Sequence, residues 1–549
     1  MTEKISNATE YYHQENSVYV KKEEKSSGSS SRDHPENIFT NGTVVSREVS
    51  HLEVTVDLEQ LKQQYTSEVI ASLAGYLTSF KENTESYSTV VLPLTELPIQ
   101  KKITIAGSET VDLHVKARDW TKDLDVRLGY DLCSEEKHFL KKRRKYVAAA
   151  VKKAVHLQEE LQDDEVPVVA IMTTGGGIRS FTAMYGSLLG LQKLNLLDSI
   201  TYLTGLSGTT WTMGKLYEDP DWSHTYMEEA INKAQKQVTK CKLCCFSVDN
   251  LKYYYHELKK RTEEGFDTSF IDLWGLKDDH ILSNEQLAVS QGQNPLPIYL
   301  AVSLKKDYSA QDFREWVEFT PYEVGSFKYG AYIRVEDFGS DFFMGRVMKR
   351  LPEMRICFMQ DTVLDTQPNK LMETAEQPLS LVDTGFFINT SYPPLLIPQR
   401  KVDVILHLNY SGGVQTKNLD QFSIYAAELG IPFPKIEISE EDRRTNLKEC
   451  YVFEDKENVE APIVLFFPLT NDTFRKCSEP GVERTPANME EGNVDVSTIF
   501  SPFTTREVCF SKANFGRLVN LTEYNILNNE KKIIEALRVA VERRKQRKS

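Results

Sequence analysis

Three short stretches of the chain carry residue types and spacings that could do chemistry. They are Gly175-Gly176-Gly177-Ile178-Arg179-Ser180, Gly205-Leu206-Ser207-Gly208-Thr209 and Asp383-Thr384-Gly385. Consecutive glycines permit positive φ and leave backbone N–H groups uncovered. Amides at a helix N-terminus attract anions, so the first stretch suits a phosphate or the oxyanion of an acyl transfer. It matches neither nucleotide-loop pattern, G-x-x-x-x-G-K-[ST] or G-x-G-x-x-G. In the second stretch a serine sits between small residues at a tight turn, the sequence form of a nucleophile elbow. The strict G-x-S-x-G form asks for glycine where Thr209 stands, and Gly208 supplies the small residue instead. A serine nucleophile needs a base. Of the ten histidines only His407 lies late in the chain, and its apolar surroundings, Val402 to Asn409, predict a mid-strand core or edge histidine. Asp383 ends an apolar run and precedes a turn glycine. A carboxylate so placed can take the serine proton without an imidazole between them.

Each stretch needs an element to hold it. Val166 to Thr173 reads VPVVAIMT, a nearly continuous apolar run that suits a strand buried on both faces of a parallel sheet. Phe181, Met184, Tyr185, Leu188, Leu189 and Leu191 then predict a helix. Ile200 to Thr204 predicts a second strand, turning at Ser207 into another helix. Strand, loop and helix twice over give an α/β fold with its ligands at the carboxyl edge of the sheet. Upstream, Ser134 can cap a helix running to about Gln162. Within that helix Lys141 to Lys145 reads KKRRK, which fits either a solvated face or a contact for anionic lipid. Residues 51–123 predict an amphipathic helix from Leu58 to Phe80 and two short strands, Ile103/Ile105 and Val111/Leu113/Val115. Residues 1–50 contain the run KSSGSSSR and predict a disordered tail.

The chain has 549 residues and a net charge of −14. That acidity argues against a general nucleic-acid binder. No apolar run approaches the roughly 20 residues of a membrane-spanning helix. The N-terminus has no apolar signal core, so a cytosolic chain with reduced cysteines is expected. Cys241, Cys244 and Cys245 form part of a zinc spacing without a second ligand pair, so no metal site is expected. Residues 530–549 differ from the rest: eight Lys/Arg against three Glu, with Ile533, Ile534, Leu537 and Val541 along one side of a predicted helix. Arg543, Arg544, Lys545, Arg547 and Lys548 are candidate contacts for anionic lipid, phosphoinositides among them. The competing reading is a solvated terminal helix packed by its apolar side.

Gly-Gly-Gly-x-Arg, Gly-Leu-Ser-Gly-x-x-Trp and Asp-x-Gly-x-x-x-Asn occur here in this order, with the segments LDVRLGYDLC, NPLPIYLAV, FREWVEFTPYEVG, NTSYPPLL, FPLTNDTFRK and LTEYNILNNE. The set resembles the cytosolic (group IV) phospholipase A2 family, its epsilon-type branch in particular. The resemblance implies a patatin-like α/β catalytic domain over 124–549, with a central mixed sheet flanked by helices behind a partly disordered N-terminal region. It implies Ser207 as nucleophile and Asp383 as base. Gly176 and Gly177, with Gly175, would form the oxyanion hole, and Arg179 would hold the substrate phosphate. The acyl chain of a glycerophospholipid would pass through acyl-Ser207 to water or to the amine of phosphatidylethanolamine, on cytosolic membrane faces. Calcium is expected from the family and no cofactor for the chemistry, yet no paired-aspartate loop that could hold calcium is found. Residues 51–123 would then be the remnant of a C2 domain, and the passage from FMQ360 into Asp361 predicts a cap shortened near 360. The alternative is a catalytically weak isoform that binds anionic lipid, its cap not competent.

Overall fold

The computed structural model describes residues 124–549 apart from 241–247, 264–279, 305–315, 344, 354–379, 387, 445, 499, 508 and 549, together with five earlier strands. The chain divides into two compact units, the smaller comprising Met1–Arg127, Ser340–Arg350 and Met372–Leu379. In the smaller unit His51–Val56 and Lys102–Gly107 flank Asp112–Arg118, each antiparallel to it. The alternation at Ile103/Ile105 and Val111/Leu113/Val115 thus emerges as two adjacent strands. The helix expected over 58–80 lies outside the described residues. Ser17–Glu24 pairs antiparallel with Ser86–Pro93, inside the region read as a disordered tail. Its Val-Tyr-Val segment favours a pleated strand, a local preference that composition averaged over fifty residues conceals.

The larger unit is built on a mixed sheet. Its strands are β1 (Val169–Thr173), β2 (Tyr202–Gly205), β3 (Leu296–Leu304), β4 (Trp316–Phe319), β5 (Glu323–Ser326), β6 (Ala331–Arg334), β7 (Ser380–Asp383), β8 (Val404–Leu408), β9 (Tyr451–Phe453) and β10 (Ile463–Phe467). They run in the order β9-β10-β8-β1-β2-β3-β4-β5-β6. The centre, β10 to β3, is parallel, and β9 and β4 to β6 extend it antiparallel. Every residue of β1, β2, β8 and β10 is buried, as continuous apolar strands in a parallel sheet should be.

Six of its helices are α1 (Ser134–Ala154), α2 (Ile178–Lys193), α3 (Gly208–Leu216), α4 (Lys417–Glu428), α5 (Lys512–Leu527) and α6 (Glu530–Lys548). Helix α2 is buried through thirteen consecutive residues, Arg179 to Leu191, because α5 and α3 both pack against it. Helix α1 stops at Ala154, well short of Gln162, and His156 just beyond it takes φ 57°. Its cap is also not the one expected: the Cys133 thiol, rather than Ser134, accepts from the Glu136 N–H.

Two buried arginines fasten this unit. Arg143 lies in the KKRRK run, but it neither faces solvent nor offers itself to lipid. It is fully buried and donates to the carbonyls of Leu197, Asp198, Ile200, Gly292 and Gln293. Arg400 pairs with Glu136 at 2.9 Å and Glu318 at 2.7 Å, while Tyr202 donates to the same Glu136. A charge buried this deeply stays only when its donors are matched, and removing one partner of such a pair costs about 3–5 kcal/mol.

Candidate active site

Two turns at the carboxyl edge of the sheet share one unusual backbone conformation. Gly177, which opens α2, has φ 60° and ψ −135°. Ser207, which opens α3, has φ 53° and ψ −135°. For a glycine this conformation is free; for a serine it is strained, at a cost of about 1–3 kcal/mol. The strain turns the chain from β2 into α3 so sharply that Ser207 stands at the tip. Thr209 explains the departure from the strict elbow pattern. Its hydroxyl donates to Leu206 O (2.8 Å), accepts from Leu206 N (3.1 Å) and takes a third bond from Thr173 Oγ1 (2.9 Å). A threonine at this position braces the turn that a glycine would only permit. The close approach falls on Gly208: a Cβ there would collide with the Gly177 carbonyl and stand 2.5 Å from Ser180 Oγ.

The sheet register brings Asp383 to Ser207. Strand β2 runs along one edge of β3 until Gly205 faces Tyr299. Strand β7 then takes over that edge from the opposite direction, with Asp383 facing Ala301. The nucleophile turn and the carboxylate therefore meet where two strands abut on a shared neighbour. Asp383 is 6% exposed. Burial raises its pKa above the ordinary aspartate value, while the Gly385 N–H, which donates to it at 2.8 Å, and the nearby Ser207 hydroxyl pull it back down. A buried carboxylate next to a serine hydroxyl is placed to accept its proton.

The three glycines are not equivalent. The Gly175 N–H donates to Asn389 Oδ1 at 2.7 Å and is therefore committed, which removes Gly175 from the expected oxyanion hole. The N–H groups of Gly176 and Gly177 have no hydrogen-bond partner among the described residues. These two amides are the uncommitted ones of the three glycines, and the loop lies against Ser207, since a Cβ on Gly175 would come within 2.7 Å of Ser207 Cβ.

Arg179 departs from the phosphate-binding role expected of it. Its guanidinium is 4% exposed and donates to Tyr410 O (2.7 Å), Phe503 O (2.7 Å) and Thr505 Oγ1 (3.2 Å). Burial lowers it only to about 10, so it remains charged at neutral pH. It braces the glycine loop from behind, because a Cβ on Gly176 would lie 2.8 Å from its Nη2. His407 is the core histidine the sequence predicts, in mid-strand on β8. Burial lowers its pKa to about 3, so it is neutral, and Nδ1 bonds to the Tyr392 hydroxyl at 2.8 Å.

The basic end of α6 is also reassigned. Arg543 is buried and reaches Ala461 O, Asp455 O and Glu454. Arg544 pairs with Asp403 at 2.7 Å. Arg547 pairs with Asp403 and Glu460 and donates to Val459 O. Lys545 is exposed, and the Lys548 side chain lies outside the described residues. The competing reading, a terminal helix packed by one side, describes α6 better, with arginines as well as apolar residues in the packed face. Cys241, Cys244 and Cys245 lie outside the described residues. Among the described residues no group of three or more His, Cys, Asp and Glu could hold a metal ion, and no helix is long and apolar enough to cross a membrane.

Asn389 and Ser391 are site residues with no role assigned from sequence alone. Asn389 closes the Asp-x-Gly-x-x-x-Asn spacing, and that spacing was the available signal. Ser391 bonds to Thr173 O (2.9 Å) and Thr204 Oγ1 (2.8 Å), joining the ends of β1 and β2.

Known proteins share this arrangement of sequence and fold. Residues 169–366 match the family described as the lysophospholipase catalytic domain. Human cytosolic phospholipase A2 epsilon is 43% identical over 569 aligned positions, covering 83% of this chain and 65% of the relative. That alignment is longer than the chain itself, so the relative carries residues within it that this chain does not. Human cytosolic phospholipase A2 delta is 34% identical, covering 93% of this chain and 81% of the relative. The solved structure of human GIVD cytosolic phospholipase A2 superposes with a TM-score of 0.76 at 38% identity, covering 85% of this chain and 73% of that one. The chain spans about 65% of the length of the human and mouse epsilon relatives. With the mixed sheet and both turns in place, it belongs to the cytosolic phospholipase A2 family.

Proposed function

We propose that this chain is a serine acyl hydrolase and acyltransferase of glycerophospholipids working through a Ser207–Asp383 dyad. The observation that carries the reading is the strained Ser207 turn, placed next to buried Asp383 and beside the uncommitted amides of Gly176 and Gly177. Ser207 Oγ attacks the ester carbonyl as its proton passes to the Asp383 carboxylate. The resulting oxyanion faces the Gly176 and Gly177 N–H groups. Collapse breaks the ester bond, and the departing lysophospholipid alkoxide takes the proton from Asp383. Water, or the amine of phosphatidylethanolamine, then attacks acyl-Ser207 and delivers a proton to Asp383. Ser207 leaves with that proton, releasing a fatty acid or an N-acylated phospholipid. No step is routed through calcium.

A solved relative, human GIVD cytosolic phospholipase A2, is in complex with methyl γ-linolenyl fluorophosphonate at 36% identity to this chain. A fluorophosphonate with a long unsaturated chain suits an activated serine beside an acyl-binding surface, which supports the same chemistry here. Substrate of this kind lies in membranes, so the enzyme works peripherally on a cytosolic membrane face. The alternative of a weakly active anionic-lipid binder rested on the basic tail, and the ion pairs of Arg543, Arg544 and Arg547 leave it little support.

Labelling with a lipid-like fluorophosphonate followed by peptide mass mapping tests the reading. An adduct on Ser207 is expected. A folded protein without label, or with its label on another residue, overturns the acyl-serine mechanism. Incubation with phosphatidylethanolamine then divides water from amine as acceptor by the product formed.

A further inference from the structure

The segment from Asp383 to Ser391 bonds to each part of the site in turn. Asp383 meets Ser207, Ser391 ties β1 to β2, and Asn389 lies between them. Asn389 grips Gly175 through the two peptides that flank it: Oδ1 accepts from Gly175 N at 2.7 Å, and Nδ2 donates at 3.1 Å to Gly175 O, whose peptide carries the Gly176 N–H. The second N–H of its amide donates to Ser411 Oγ at 2.9 Å. Ser411 is itself held by Asn418 (2.6 Å) and donates to Thr174 Oγ1 (3.2 Å), the residue before the glycines. The clamp is thus anchored in a polar network beneath the loop and does not hang from a free side chain.

Three successive glycines have no side chains with which to fix their own peptide planes. The orientation of the Gly176 and Gly177 amides must come from outside the loop. Arg179 and Tyr410 brace it behind Gly176, and among the described residues Asn389 alone meets both the N–H and the C=O of Gly175.

We propose that Asn389 is a positioning residue for acyl transfer, holding the Gly175 peptide so that the following two amides aim at the oxyanion. The proposal rests on the acyl-Ser207 reading. It also places base and oxyanion loop under one segment, so a shift of 383–391 would disturb both together. Only a side chain that donates and accepts at once satisfies both the N–H and the C=O of Gly175, so asparagine's amide is needed and not merely its bulk.

The test is the rate of Ser207 labelling by a lipid-like fluorophosphonate in the full chain. Asn389→Ala is expected to slow labelling about 100-fold while the labelled fraction still reaches the wild-type end point. Asn389→Asp keeps the volume and adds a titration. Its ionised carboxylate accepts from Gly175 N but faces Gly175 O without a proton; the neutral acid restores the donor. The charged groups nearest this position are the Asp383 carboxylate, across Gly385, and the Arg179 guanidinium behind Gly176. Expressed as a ratio to wild type at each pH, which removes the part of the Asp383 titration common to both proteins, its labelling rate should rise from about pH 8 to about pH 5. Wild-type labelling rates in folded Asn389→Ala overturn the proposal, as does a reduced labelled fraction with an unchanged rate, which marks a structural role alone. If Asn389→Ala fails to fold, the Asn389→Asp ratio decides, and a flat ratio overturns the proposal. A wild-type protein that takes no label overturns the acyl-serine reading and this inference with it; a labelled wild type beside undiminished Asn389→Ala overturns this inference alone.

Discussion

The carboxyl edge of β1 and β2 and the last turns of α6 both collect groups that could bind an anion. They differ in what the fold has done with them. At the sheet edge Gly176 and Gly177 keep their N–H groups uncommitted, and Ser207 is held in a backbone conformation that serines seldom adopt. On α6 three arginines of a cluster that reads as a lipid contact are bonded to Glu454, Asp403, Glu460 and backbone carbonyls. Arg143 and Arg179 repeat the second pattern, each placed in a motif that suggested an external ligand and each bonded to protein carbonyls. A guanidinium is long and carries five donors, so it can gather backbone acceptors from several elements at once. A cluster of basic residues therefore marks an anion site only where the protein supplies no acceptors of its own.

The sharpest way to break this contrast is to remove the two groups that meet at the sheet edge. Ser207→Ala is expected to reduce phospholipid turnover to background, and Asp383→Asn to reduce it by a factor of about 10²–10⁴. Asp383→Asn should also raise the melting temperature near neutral pH. The sign follows from burial, which raises the carboxyl pKa in the folded chain. Between the unfolded and folded pKa values the folded protein binds the extra proton, so wild-type stability falls as pH rises through that window and stays reduced above it. Asparagine carries no such penalty. For the same reason the acid limb of the wild-type rate profile should lie above the ordinary aspartate value of about 3.9. Full activity in Asp383→Asn would remove the dyad.

Gly208→Ala should produce the next largest effect. The added methyl would force the elbow away from the Gly177 carbonyl and Ser180. A displacement of about 1 Å at reacting groups costs about 10²-fold, so kcat should fall by that order. A variant with normal kcat would mean that the two turns can separate without harm.

On α6 the smallest effects should divide by contact and not by charge. Arg543→Ala is expected to destabilise the protein by about 1–3 kcal/mol, because Glu454 and two carbonyls lose a buried donor. Lys545→Ala is expected to change stability by less than about 0.5 kcal/mol. Thermal unfolding measures both, and flotation with anionic vesicles should show little change in either. A large loss of vesicle binding in Lys545→Ala would restore a lipid role to the tail.

Much of this site was legible before any coordinates. An unbroken apolar run ending in three glycines specifies a buried strand and a loop with bare amides, and Gly-Leu-Ser-Gly specifies a turn too tight for larger neighbours. These are local constraints, set by backbone freedom and by burial of a single element. Asp383 needed the register: it lies 176 positions from Ser207, and only the handover of one β3 edge from β2 to β7 brings them together. The same holds where expectation failed. Gly175 lost its free amide to Asn389, 214 positions away, and Arg179 lost its free guanidinium to Tyr410 and Phe503, 231 and 324 positions away. The order of residues sets which groups are present and how the backbone beside them must turn. Tertiary structure alone decided which donors remained free, because a hydrogen bond depends on who arrives within about 3 Å and long-range packing sets the arrivals.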